Sequence, residues 1–290
     1  MTYFLLLSIA HFTADFLFQS NKLAKQKKVK STRIIALAKH AGVHLLMYIL
    51  LLIPWLIWGK QFSLASVFIF LVIVLSITIT HFIIDLIKET ISEKITSQKQ
   101  HALIFAVDQL LHISIIIVIL RTFQVVNFTL SELAGGIYEF LFHGISLTHL
   151  ETVLALGILL IIGTYGISYF LAIVLKNLAP EDAIISTKQE RQEKEENSQL
   201  TSMTTTTEVS FAYPRQHKNI GRYIGMLERI LIIILVVNQA LTSITILVAI
   251  KSITRFKQFE DKRFAEYYLI GTLFSIVIAI CIGFLALRII

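Results

Sequence analysis

The sequence predicts an all-α integral membrane protein of about seven transmembrane helices, with an N-terminal four-helix bundle made of two repeated hairpins. Three observations predict it. Of the 290 residues, 56% are hydrophobic and only 16% are charged, where soluble domains carry about 25% charged residues. The apolar residues are gathered into runs that reach the roughly 17–25 residues needed to cross a bilayer. The few ionisable residues inside the first four runs recur as His or Asp at i and again at i+4.

The run at 3–20 is the first helix. It has no basic leader and carries His11 and Asp15 within its apolar stretch, so it reads as a retained helix rather than a cleavable signal. The segment Asn21–Arg33 follows, with Lys22, Lys25, Lys27, Lys28, Lys30 and Arg33 and no acid. Basic loops stay in the cytoplasm, so the first helix runs from outside to inside. Further helices are expected at 34–58, 63–88, 101–120, 152–175, 229–250 and 266–288. Barrel strands would be shorter, about 9–11 residues, and would alternate in polarity.

With seven crossings the loops Lys88–Lys99 and Lys176–Arg222 are cytoplasmic, but the basic loop Lys251–Arg263 falls outside. Either one helix assignment is in error, with the uncrossed segment Phe128–Leu150 the expected place, or that loop binds an anion. The chain divides into a four-helix unit (1–122), a connecting segment with the fifth helix (123–178), a polar linker (179–218) and a C-terminal helix pair (219–290). The linker contains the mixed-charge run 190–196 and Thr204–Thr207, a composition that cannot bury a core. A single residue, Cys281, excludes an intrachain disulfide. The net charge of +7 resides largely in the first loop, where topology and anionic lipid explain it. No nucleic-acid module and no Gly-rich phosphate loop is present.

The candidate site is carried by four pairs: His11 and Asp15, His40 and His44, His81 and Asp85, Asp108 and His112. Residues spaced i, i+4 share one helix face, and imidazole and carboxylate are ligands of zinc and other divalent metals. At about 1.5 Å per residue, all eight lie roughly 6–18 Å below the cytoplasmic surface. His11-Phe12-xx-Asp15 also matches His81-Phe82-xx-Asp85, and His40/His44 matches Asp108/His112. Two hairpins of one design would pack about a pseudo-two-fold axis along the membrane normal. A single intramembrane His or Asp more often only hydrogen-bonds a neighbouring helix. Eight on four helices at one depth argue for a metal site. Asp85, Asp15 and Asp108 are the candidate catalytic carboxylates. Gln19, Asn21, Lys88 and Gln109 lie beside the cluster, where they would orient the ligands. His101 sits at the rim, and His143, His149 and His217 fall outside the layer.

Two further cations, Lys251 and Arg255, are spaced to share one anion such as a lipid headgroup. A Glu228–Lys251 pair is excluded if the two residues stand at opposite ends of one helix. Glu266 is the easier partner for Lys251 or Arg255.

His11-xxx-Asp15-Phe16-xx-Gln19, the His40/His44 helix and His81-Phe82-xx-Asp85-xx-Lys88 resemble a family of bacterial and phage integral membrane proteins, domain-of-unknown-function family 3307. The resemblance covers about residues 1–120. Gly221-Arg222-Tyr223-Ile224-Gly225, Leu227-Glu228-Arg229, Lys251-Ser252-xx-Arg255-Phe256, Glu266-Tyr267 and Ile270-Gly271-Thr272-Leu273 with Ser275 are similar to its longer members; the linker matches nothing. The family carries no established activity, so it supports the residues rather than a reaction. The pattern is more loosely similar to bacterial membrane-bound metal-dependent hydrolases.

These readings lead to a metalloprotein of the bacterial cytoplasmic (inner) membrane, multi-pass, holding one or two divalent ions, zinc by ligand type. The expected function is metal-dependent hydrolysis of a membrane lipid or phosphoester near the cytoplasmic face. The alternative is a metal-ion or proton transporter or channel using the same cluster. A third is a scaffold whose polar layer only specifies helix packing. Expected partners are membrane lipids and no nucleic acid; a homo-oligomer is compatible with the pattern.

Overall fold

The computed structural model describes residues 1–58, 63–178 and 217–290. The predicted linker is therefore outside the described residues, apart from its last positions. Those described are helical, with no strand among them. Helix α1 (Thr2–Phe16) is followed by the short α2 (Asn21–Lys28), then by α3 (Lys30–Trp58), α4 (Leu64–Ser92) and α5 (Gln98–Thr122). Next come α6 (Leu130–Phe142), α7 (His149–Ile161) and α8 (Ile167–Val174), the last two joined by a π turn at Ile162–Gly166 into one continuous helix. The C-terminal unit is α9 (His217–Val237), α10 (Thr242–Thr254), a 3₁₀ turn (Phe256–Glu260) and α11 (Lys262–Leu287).

Helix starts are written in short polar side chains that accept the free amides of a first turn. Ser20 accepts from the Leu23 amide to open α2, and Ser63 from Ser66 to open α4. Thr129 and Thr148 form capping boxes with Glu132 and Glu151 at α6 and α7.

Among the described residues five helical stretches are long and apolar enough to cross a membrane: Lys30–Ile53, Leu64–Ser92, Gln98–Thr122, His149–Val174 and Lys262–Leu287. The predicted first crossing is a 15-residue helix, α1. The segment at 128–150, expected as the place of error, holds the 13-residue helix α6 and no long apolar helix.

The error lies at 229–250. In place of one helix the chain turns at Asn238–Leu241, where Gln239 adopts φ 57°, a left-handed conformation that breaks a helix. Then α10 folds back along α9. The pair excluded for a single helix now closes this hairpin: Lys251 Nζ donates to Glu228 Oε2 at 2.6 Å. Of the two cations expected to share an anion, Lys251 is thus paired with Glu228, and Arg255 donates one N–H to Gln258. Glu266 lies near Lys262 instead of either.

Helices α9 and α11 run parallel, since Arg229 reaches Ser275 and Val236 faces Gly283. Gly271, Ser275, Ala279 and Gly283 repeat every four residues, the small-residue spacing that lets membrane helices approach closely. A Cβ at Gly283 would stand 2.6 Å from that of Val236.

Contacts fix which helix ends lie together. Arg33 at the start of α3 pairs with Glu93 at the end of α4, and Gln98 at the start of α5 donates to the Ile173 carbonyl in α8. At the other end Thr2 donates to Glu151, and the Ile145 amide to the Arg288 carbonyl. Because α10 folds back, the basic loop 251–263 joins α2 and the 88–99 loop at one end of the molecule. The charge conflict left by seven straight crossings disappears.

The N-terminal unit is a ring in which α1 packs on α3, α3 on α4, α4 on α5 and α5 on α1. Its dry core, with Leu7, Ala10, Tyr48, Leu52, Val74, Ile77, Ile116 and Leu120, fills the half away from α2.

Candidate metal centre

Above that core the ring turns polar. His11 and Asp15 come from α1, His40 and His44 from α3, His81 and Asp85 from α4, and Asp108 and His112 from α5. Each pair spans one turn of helix and faces the axis. All five imidazoles are at most 3% exposed, Asp85 2% and Asp108 4%. Asp15 keeps an 11% exposed side chain. All eight predicted residues are thus brought into one layer.

The imidazoles touch in sequence. Ring centroids stand 5.0 Å apart for His11 and His112, 4.1 Å for His112 and His81, 3.8 Å for His81 and His44, and 4.6 Å for His44 and His40. His40 Nε2 and His44 Nε2 each lie 3.0 Å from Asp15 Oδ1 and 3.2 Å from each other. Three ligand atoms therefore converge on one point. His112 Nδ1 stands 2.7 Å from the Asp108 carbonyl. A carbonyl only accepts, so Nδ1 carries the proton and Nε2 keeps its lone pair. That Nε2 is buried without a partner, as are both nitrogens of His81, both of His11 and Asp108 Oδ1. Buried polar atoms are normally paired, so these orphaned atoms call for a ligand.

Two groups of donors lie within 4.8 Å of one another: Asp15, His40, His44 and His81, and His81, Asp85 and His112. Either could hold a metal ion, and His81 belongs to both. Charge points the same way. Three carboxylates face two ammonium groups, Lys27 and Lys88, leaving one negative charge uncompensated if the imidazoles are neutral. Buried charge is costly unless paired, so the layer favours a cation.

Of the four residues expected beside the ligands, Gln109 and Lys88 touch them directly. Gln109 donates to Asp15 Oδ2 at 2.9 Å and to Asp108 Oδ2 at 3.2 Å. Lys88 donates to Asp85 Oδ1 at 2.6 Å and to Asp108 Oδ2 at 3.1 Å. Gln19 accepts from Lys27 at 2.8 Å. Asn21 is exposed at the start of α2, and His101 belongs to neither donor group.

Sequence reasoning missed two residues. Lys27 is one of six basic residues in a loop that topology alone explains, yet it is only 3% exposed and donates to Asp85 Oδ2 at 2.8 Å. Its inward aim follows from Arg33, whose guanidinium donates to the Lys27 and Lys28 carbonyls and pairs with Glu93. That contact holds the Glu93 carboxyl below its usual range. Tyr48, fully buried, places its hydroxyl 3.4 Å from His44 Nδ1. Four residues after His44 on an apolar face, it reads as core in the sequence; the i, i+4 spacing was its only signal.

No curated protein and no solved structure matches the chain. The His/Asp helices and the connection after them do match a family model: residues 3–141 are similar to the family described as Protein of unknown function (DUF3307).

Proposed function

We propose that this is a metal-dependent hydrolase of the bacterial inner membrane, acting on a membrane lipid or phosphoester near the cytoplasmic face. One observation carries the reading: a layer of five imidazoles and three carboxylates with orphaned donor atoms, sealed on one side by the apolar core and touched by solvent at the other, where Asp15 and Lys88 are 11% and 22% exposed. Access from one side suits an enzyme.

Asp15, His40, His44 and His81 would hold one divalent ion, and His81, Asp85 and His112 offer a second, overlapping set. Zinc fits the nitrogen-rich donors. Such an ion supplies Lewis acidity and a nucleophile at neutral pH. The chain itself does the rest. Gln109 fixes Asp15, and Tyr48 fixes the His44 ring. Of the three carboxylates Asp108 alone keeps a buried oxygen without a partner, which suits it to take the proton of an attacking water. The two matched hairpins would supply the halves of the centre.

The test is turnover of lipid ester and phosphoester substrates by metal-loaded protein in nanodiscs. Asp108→Asn is expected to keep the metal and to lose about 10²-fold or more in rate. Unchanged turnover in that variant would overturn the role of Asp108.

The stacked run of imidazoles also favours a second reading, a proton or metal-ion pathway. It requires an exit through Leu7, Leu52, Ile77 and Ile116, which are closed. Liposome flux abolished by Asp85→Asn would establish it over the hydrolase.

A further inference from the structure

Lys27 and Lys88 straddle Asp85. Both of its carboxylate oxygens accept from an ammonium group, Oδ2 from Lys27 and Oδ1 from Lys88. Asp85 also stands in a donor group with His81 and His112. Each carboxylate oxygen has a second lone pair, so Asp85 can accept from both lysines and still ligate a metal, which sets two ammonium groups beside that ion.

Both lysines have a donor in hand. An ammonium group offers three N–H bonds. Lys27 uses two, on Gln19 and Asp85, and Lys88 uses two, on Asp85 and Asp108. One N–H on each finds no acceptor among the described residues.

Lys27 is not a topological charge that happens to turn inward. Lys22, Lys25, Lys28 and Lys30 around it are exposed, as basic loop residues at a membrane surface are. Of the lysines in this segment Lys27 alone is withdrawn from water, and the buried Arg33 ties the backbone that carries it onto α3 and α4. Taking a lysine out of water is costly, and snorkelling outward was open to it. The inward position therefore serves the site.

We propose that Lys27 and Lys88 form the binding site for a phosphate group: each ammonium group, held beside the metal centre by Asp85, offers its remaining N–H to the oxyanion of the substrate. The proposal rests on the hydrolase reading and narrows its substrate to phosphoesters. Two cations beside a metal match the charge of a phosphoryl group, while a neutral carboxylic ester has no charge for them.

The test uses full-length protein in neutral phosphatidylcholine nanodiscs. Zinc is titrated first, then inorganic phosphate at constant ionic strength, by calorimetry. Wild type is expected to bind phosphate, with affinity falling about tenfold or more in Lys27→Gln and in Lys88→Gln, while zinc stoichiometry and helical circular dichroism are retained. Lys25→Gln, on the exposed face of α2, should behave as wild type. Phosphate bound equally by the variants, or zinc lost together with phosphate, would overturn the proposal, the second result assigning the lysines to support of Asp85. Wild type that takes up no zinc yet binds phosphate through these lysines would sink the metal reading and leave the anion site standing. Phosphatidic acid doped into the discs separates the sources: competition with phosphate assigns a lipid headgroup, and its absence a soluble phosphoester.

Discussion

A straight helix would hold Glu228 and Lys251 about 35 Å apart, at 1.5 Å for each of the residues between them. The structure brings Lys251 Nζ to 2.6 Å from Glu228 Oε2. The arithmetic of the fold-back accounts for it: nine residues of α9 from Glu228 to Val237 descend about 14 Å, and nine of α10 from Thr242 to Lys251 climb the same about 14 Å. The side chains are 23% and 14% exposed, so breaking one partner leaves a largely shielded charge. Lys251→Met or Glu228→Gln alone should cost about 2 kcal/mol. The double variant should cost less than the sum. Denaturant titration in detergent measures this cycle. Side-specific labelling supplies the second readout, in a Cys281→Ala background. Lys257→Cys should react with an impermeant maleimide from the same side as Lys28→Cys. Labelling of the two from opposite sides, together with a coupling of zero, would refute the hairpin and restore a single crossing at 229–250.

Four other outcomes are expected. Gly283→Val places atoms into Val236, whose Cβ is 2.6 Å from where the new one would stand, and should lower stability by about 1–3 kcal/mol; an unshifted melting curve would mean α9 and α11 are not this close. Arg229 donates to the Gly163 and Thr164 carbonyls of the π turn and to Ser168 and Ser275. Arg229→Met should loosen the C-terminal unit by about 2 kcal/mol or more, read as protease sensitivity of α9 with the N-terminal bundle intact. Tyr48→Phe keeps the shape of the core but frees His44 Nδ1, and should weaken zinc binding about tenfold with little change in melting. Glu93 has a depressed pKa through its Arg33 contact. The stability this adds is present above its ordinary value of 4.5 and is lost as pH falls through the folded value below it. Amide exchange in α2 should therefore accelerate on acidification, and Glu93→Gln should abolish that dependence.

Much of the site was legible because i, i+4 spacing is a local property. His81 and Asp85 share a face whatever the rest of the chain does, and alternating helix directions bring four such faces to one depth. Lys27 was not legible, because its direction is set by Arg33 and by Glu93, which is 60 residues further along than Arg33. The break at 238–241 was legible in part. Asn238 and Gln239 interrupt an apolar run, but neither is a Gly or Pro, and only the left-handed φ at Gln239 shows a chain reversing rather than a tolerated polar turn. The basic loop 251–263 carried the same information in its charge: the conflict with a seven-crossing topology was a sign of the missing turn.

The central claim is that the buried His/Asp layer holds a metal, and elemental analysis of detergent-purified protein tests it most directly. Wild type should carry one or two equivalents of a divalent metal. His40→Ala should disturb only the group built on Asp15, and His112→Ala only the group with Asp85. The pair His81→Ala, Asp85→Ala, which strikes the residue common to both, should be metal-free while keeping its helical circular dichroism. Wild-type protein that is well folded, takes up no zinc or manganese when offered it, and matches the double variant in metal content would contradict the account.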